Sequence, residues 1–305
     1  MKSFSKIKFK KYAFVWTIMA FPVANFLIFW LFSNFGSLIM AFQSRDFLGN
    51  VTGWVGFENF SKFLSDVFHS PVITTALKNT CLMYGTELFI ITPLQLLFSY
   101  YLFRKIPGYK IIKFILMLPA IISGFVVCLV FKKFVEGALP TMMRTLFRVE
   151  GFPNLVTDPK YSFGLMLFYN VWLSFTTTLI MYTNAMGQID DSVLESAKID
   201  GIHEGLQEFF TICCPLVFPT LTTFLVTGFS GFLSISGPLI AFWKFDAPPQ
   251  LYTLGYWMYI QVASTTSQVM YPYLAAGGFI MTGIMAPLTF LLKHLLEKYG
   301  PSTEC

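Results

Sequence analysis

Runs of apolar residues, each long enough to cross a bilayer, constrain this sequence more than any other feature. About twenty residues in an α-helix rise ~30 Å, the thickness of the hydrocarbon core. Six such runs stand out, at residues 12–35, 73–103, 111–131, 162–185, 209–232 and 269–292. Over the 305 residues, 55% are hydrophobic and only 12% are charged, about half the charged share of an ordinary soluble domain. A soluble monomer this apolar would expose large sticky patches. Within lipid, each unpaired backbone group costs several kcal/mol, so the runs are read as helices. The expected fold is an all-α integral membrane protein with six spans.

Charge at the edges of the runs bears on orientation. Lys2, Lys6, Lys8, Lys10 and Lys11 precede the first run, and a basic cluster abutting a span reads as a cytoplasmic anchor. Residues 1–11 are therefore taken as a basic cytoplasmic N-terminus and 12–305 as the transmembrane domain. A cleavable signal peptide would have a shorter apolar core and a small-residue cleavage site; the run at 12–35 is longer and lacks an Ala-x-Ala end. Six spans return the C-terminus to the cytoplasm. The inner connection with Arg104, Lys105, Lys110 and Lys113 agrees, but the outer loop with Lys132, Lys133, Arg144, Arg148 and Lys160 is as basic. The orientation thus rests on the N-terminal cluster. Basic residues are not gathered along a groove or helix face, so nucleic acid is not an expected partner.

Soluble catalytic signatures are missing. There is no Gly-x-x-x-x-Gly-Lys-Ser/Thr, so ATP hydrolysis is not expected on this chain, and no His-Glu-x-x-His. Cys81, Cys128, Cys213, Cys214 and Cys305 show no metal spacing, and His69, His203 and His294 are scattered.

One loop departs from the surrounding pattern. The stretch 186–208 is acidic and reads as a short helix, a turn and a second helix. Ser192 and Glu195 have capping-box spacing, with Asp190 or Asp191 as competing caps. Val193, Leu194 and Ala197 form a small apolar face, and Asp200-Gly201 is a turn dipeptide. By composition alone this loop is either a solvated connector or a knob that docks into another protein.

The residues Glu195-Ser-Ala197-x-x-Asp200-Gly201, followed by Ile212-x-Cys-Pro215, resemble the EAA loop of binding-protein-dependent ABC importer permeases. Val55-Gly-Phe-Glu-Asn-Phe60, Ala76-Leu-Lys-Asn-Thr80, Arg104-Lys-Ile-Pro-Gly108, Leu118-Pro-Ala-Ile-Ile-Ser123, Gly237-Pro238 and Thr253-Leu254 fall in that family's order. They are most similar to the sugar-type branch, to the first permease of pairs such as those for maltose and glycerol phosphate. The resemblance implies a six-helix type I importer bundle with cytoplasmic termini in a bacterial inner membrane. It implies a coupling helix whose Glu195, Ser196, Ala197, Asp200 and Gly201 engage an ATPase dimer, a second permease, an extracytoplasmic solute-binding protein and a sugar substrate. ATP and magnesium would bind the ATPase, leaving this chain without a cofactor or metal and not itself an enzyme. The sequence departs from the pattern at Ser196, at Cys214 and by one extra residue between Gly201 and Ile212. In a regular α-helix that residue turns everything beyond it by ~100°.

Glu87 sits well inside the second run, and intramembrane carboxylates are costly enough to suggest function. It is read either as lining the solute path or as paired with Asn170 or Gln95. Asn170, Trp172 and Asn184 are further path candidates. Two other classes make different demands on the sequence. A secondary transporter acting alone predicts inverted repeats, and a membrane-embedded enzyme needs a catalytic constellation; the sequence displays neither.

Overall fold

The computed structural model describes residues 2–264 and 267–301. Among them, five helices are long and apolar enough to cross a membrane: Phe14–Met40, Pro71–Phe103, Ser162–Met186, Leu206–Trp243 and Gln268–Tyr299. They cover five of the six expected runs, and the helix of the first begins already at Lys2, inside the basic stretch. The run at 111–131 differs. It forms two helices, Tyr109–Ile121 and Gly124–Lys133, separated by Ile122 (ψ 145°) and Ser123 (ψ 126°) in extended conformation. Paired β-branched isoleucines followed by Ser-Gly favour such a break, because Ile loses rotamer freedom in a helix and Ser prefers its start.

The expectation of an all-α chain needs a second correction. Gln43–Arg45 pairs antiparallel with Val51–Trp54 as a small hairpin. Its turn is closed by Asp46, whose carboxylate accepts from the Asn50 backbone N–H at 2.8 Å and from the Asn50 side chain at 3.0 Å. These bonds hold the Asp46 carboxyl below its usual range.

Three of the described π turns share a cause. Glu87–Ile91, Phe134–Ala138 and Phe209–Cys213 each end two residues before a proline, Pro93, Pro140 and Pro215. Proline lacks the N–H that would close the α-helical bond, and its ring collides with the carbonyl four residues back. Widening the preceding turn relieves the collision and keeps the helix going. At the first of them the Thr92 hydroxyl donates to the Glu87 carbonyl at 3.0 Å.

The chain divides into two compact units, residues 1–67 with 265–282, and residues 68–264 with 283–305. In the first, Phe42, Phe57, Phe60 and Phe279 make an aromatic cluster. Asn59 donates to the carbonyls of Ala41 and Gln43, both at 2.9 Å, and so anchors the hairpin. Gly277 lies so close to the buried Phe63 ring that a Cβ would collide with it.

In the second unit the helix Pro71–Phe103 is the axis on which the rest is hung. Gln95 donates to the Ser174 carbonyl at 2.7 Å and Ser99 to the Leu179 carbonyl at 3.0 Å, stitching it to Ser162–Met186. At one end Asn79 donates to the carbonyls of Gln250 (2.8 Å) and Tyr252 (2.9 Å). There too the Leu254 N–H donates to the Thr80 hydroxyl at 2.8 Å. The Ala76–Thr80 motif and the Thr253-Leu254 motif are thus two halves of one contact. Thr253 also caps the helix Leu254–Ala263 by accepting from the Tyr256 N–H.

Candidate functional site: the capped helix at 191–199

The distinctive loop lies at the opposite end of the Pro71–Phe103 helix. A nine-residue helix, Asp191–Ile199, is capped at both ends. Asp190 is the N-cap, accepting from the Ser192 N–H at 2.9 Å. That bond holds its carboxyl below the usual range. The helix therefore starts two residues too early for the Ser192–Glu195 capping box, and the competing Asp190 cap is the one used. At the other end the Gly201 N–H donates to the Lys198 carbonyl and the Ile202 N–H to the Ala197 carbonyl. This pair of bonds is a Schellman motif, which requires a left-handed residue, and Gly201 supplies it with φ +84°.

Packing beneath the helix decides which face it presents. Leu194 and Ala197 are buried within the chain, while Val193 and Ile199 are exposed, Ile199 to 86%. The expected apolar knob of Val193, Leu194 and Ala197 is therefore split. Two of its members seat the helix on its own protein, and the outward apolar contact is Val193 with Ile199. Glu195, Ser196, Asp200 and Gly201 are exposed. Ala197 faces inward and serves the seating of the helix.

Beneath the helix runs a set of charges that sequence reasoning missed. Glu204 lies 2.5 Å from Arg104 and 2.7 Å from Lys198. Arg104 also pairs with Glu208 at 3.3 Å, and the Glu208 side chain is only 2% exposed. The Tyr100 hydroxyl donates to Glu208 at 3.1 Å and accepts from the Gly205 N–H at 3.0 Å. The Lys198 hydrogen bond and then the Arg104 charge hold the Glu204 carboxyl below its usual range. Burial works against the Arg104 charge, but Glu208 and Glu204 outweigh it and its pKa is raised. The signal was present in outline. Arg104 ends one apolar run and Glu208 begins another, and opposite charges at the edges of two spans are candidates to meet.

The extra residue between Gly201 and Ile212 meets a local accommodation. The π turn Phe209–Cys213 occupies that stretch, and a π turn takes up about one residue more than an α turn.

The path candidates separate. Glu87 lines a cavity of ≈ 240 Å³ between the helices 71–103, 162–186 and 206–231, with Tyr84, Thr92, Gln95, Tyr182 and Thr227 among its walls. Its side-chain partner is Ser174, whereas the Gln95 amide is spent on the Ser174 carbonyl. Trp172 lines a different pocket, wholly apolar, with Phe131 and Phe168. Asn170 is half-buried and Asn184 exposed, and neither lines the Glu87 cavity. Among the described residues no cluster of His, Cys, Asp and Glu fits a metal ion.

Comparison with known proteins agrees in sequence and in fold. No family model matches the chain. It is 24% identical over 297 residues to the lactose transport system permease protein of Rhizobium radiobacter, covering 95% of this chain and 97% of that one. It is 24% identical over 202 residues to the maltose/maltodextrin transport system permease protein of Vibrio vulnificus, covering 62% of this chain but 38% of that one. Among solved structures, a chain of a bacterial ABC transporter involved in the import of the acidic polysaccharide alginate superposes with a TM-score of 0.75 at 20% identity. That match covers 96% of this chain and 98% of the other. The same transporter bound to its alginate-loaded periplasmic protein gives 0.73. The fold is that of a multi-pass, α-helical membrane protein. In sequence the chain resembles permease proteins named for sugar transport, and its long apolar helices are those of a multi-pass membrane protein.

Proposed function

We propose that this chain is one of two permeases in an ATP-driven importer and that the helix Asp191–Ile199 is its coupling helix. The observation that carries the reading is that helix: nine residues, capped at both ends, with Val193, Glu195, Ser196, Ile199 and Asp200 turned outward. A solvated connector has no use for two exposed apolar side chains on so short a rigid segment. Docked into a cleft of an ATPase, Val193 and Ile199 supply buried area, and Glu195 and Asp200 supply orientation. ATP and magnesium are then the business of the ATPase dimer, and this chain performs no chemistry.

The broken pair Tyr109–Ile121 and Gly124–Lys133 counts in this reading as a single crossing. Its 25 residues would rise ~37 Å if fully helical, which leaves length to spare after the break. Six crossings follow, with both termini and the coupling helix cytoplasmic. Solute arrives on a binding protein at the opposite face and crosses between this permease and its partner. The sugar class is suggested by relatives named for lactose, maltose and alginate. It suits the Glu87 cavity, where a carboxylate and several hydroxyls can exchange hydrogen bonds with a polyol beside aromatic faces.

Co-expression with the ATPase and second permease of the same system, followed by affinity purification, tests the reading. An ATPase should co-purify with the unaltered chain and be lost with Glu195→Lys or Gly201→Asp. Retention with both substitutions would overturn the coupling assignment. Uptake of labelled lactose, maltose and alginate oligosaccharide into proteoliposomes then separates the sugars.

A further inference from the structure

The coupling helix is attached to the membrane helices by flexible backbone and by a brace of side chains. The six residues that lead from it, 200–205, include two glycines in left-handed or wider conformations, Gly201 at φ +84° and Gly205 at φ +112°. Beyond the Schellman bonds of Gly201 and Ile202, glycine's wide conformational range at Gly205 leaves the backbone a poor transmitter of displacement by itself. Across it runs a continuous series of contacts: Lys198 on the coupling helix, Glu204, Arg104 at the end of the 71–103 helix, then Glu208 at the start of the 206–231 helix. Tyr100 closes the series by holding both Glu208 and the Gly205 backbone.

The parts of this series differ in kind. Arg104–Glu208 is nearly out of water, and a buried charge deprived of its partner is strongly penalised. That joint therefore holds the ends of two membrane helices in fixed register. Glu204 is 58% exposed; exposed pairs add little to stability, so stability does not explain two cations within 2.7 Å of one carboxylate. Arginine suits the junction, since its planar fork presents separate N–H groups to two carboxylates at once: here Nη2 faces Glu204 and Nε faces Glu208.

We infer that Glu204 is a positioning residue for transport, bridging the glycine-containing segment so that displacement of the coupling helix reaches the 71–103 and 206–231 helices. The inference rests on the coupling reading above. Leu194 and Ala197 seat the helix; Glu204 makes its movement directional. Without the bridge the ATPase still docks and still hydrolyses ATP, but the membrane helices no longer follow.

The test uses the purified complex in lipid nanodiscs, with a reporter on the 206–231 helix where it lines the Glu87 cavity. Thr227→Cys is labelled with a water-soluble maleimide, nucleotide-free and after trapping with ATP and vanadate, and the labelled peptide is quantified by mass. With the brace intact, trapping should change the labelling rate about tenfold, within the usual range of a coupling free energy. Glu204→Gln should leave ATPase co-purification and basal hydrolysis in place and reduce that change to less than about twofold. Glu204→Asp should restore part of it. Tyr100→Phe, which keeps the ring and removes both hydrogen bonds, should weaken the response in the same direction. A full response in Glu204→Gln overturns the inference, as does loss of the ATPase from that variant, which would make Glu204 a docking residue. A reporter that does not respond even with the brace intact counts against the transport reading itself, and the inference falls with it.

Discussion

The two ends of the Pro71–Phe103 helix solve the same problem with different chemistry. At one end Asn79 and Thr80, 6% and 0% exposed, hold the Gln250–Leu254 loop through neutral hydrogen bonds to its backbone. At the other, Tyr100 and Arg104 hold the 204–208 segment through ions. Neutral bonds to buried backbone have one good geometry and tolerate little displacement, since each lost partner leaves a desolvated group unpaired. An ionic series with an exposed member can lengthen and reform. The first end is held by neutral bonds alone, while the second combines a largely buried ion pair, Arg104–Glu208, with an exposed member, Glu204.

The largest effect should come from breaking the buried joint. Arg104→Ala leaves Glu208 uncompensated in a site from which water is nearly excluded. It should cost about 3–5 kcal/mol, read as a lowered thermal unfolding midpoint in detergent. A midpoint close to that of the unaltered chain would show that Glu208 is better hydrated than its exposure indicates. Next comes the other end: Asn79→Ala orphans two carbonyls and should cost about 1–3 kcal/mol. The same substitution should make the 244–254 loop sensitive to protease while leaving ATPase co-purification unchanged. If it abolished co-purification as well, the two ends would not be independent and the contrast between them would fail.

Smaller effects are expected within the helix Asp191–Ile199. Gly201→Ala places a Cβ at φ +84°, a conformation that costs an ordinary residue about 1–2 kcal/mol. Asp190→Ala removes the N-cap and should loosen the first turn. Both should raise amide hydrogen exchange between residues 191 and 202 and leave the membrane helices unaffected.

The smallest effect concerns pH. Asp190 and Glu204 both titrate below their usual values of 3.8 and 4.5. A group lowered in this way contributes stability above its unfolded-state value, and the contribution is lost as pH falls through the lowered folded-state value. A spin label placed by Ser196→Cys should therefore keep constant mobility from about pH 8 to about pH 5 and loosen only in stronger acid. Loosening already near neutral pH would mean that a group other than these carboxylates controls the loop. The Asn79 end, with no titrating group in its bonds, should show no such dependence.

Much of this was legible in the residues. The long helices fall where the apolar runs lie because lipid leaves a continuous hydrophobic segment few alternatives to a helix. The small helix at 191–199 could be read from Asp190 and from Asp200-Gly201, since caps are local signals that act over a few positions. The break at Ile122–Ser123 was not legible, because an unbroken apolar run reports hydrophobicity and is silent about backbone continuity. Nor was the split of the apolar face, since whether Leu194 or Ile199 points outward depends on what lies beneath.

The sequence by itself determined that the chain lives in a membrane, where its long helices run, and that one loop is built unlike the others. Each of those depends on residues near one another in the chain. The tertiary structure decided that Arg104 and Glu208, 104 positions apart in sequence, would meet with Glu208 buried, that Glu204 would join them to Lys198, and that Glu87 would face a cavity shared by three helices. Such pairings follow from how helices are packed side by side. Packing depends on shape and on the summed burial of many side chains, which no short stretch of sequence records.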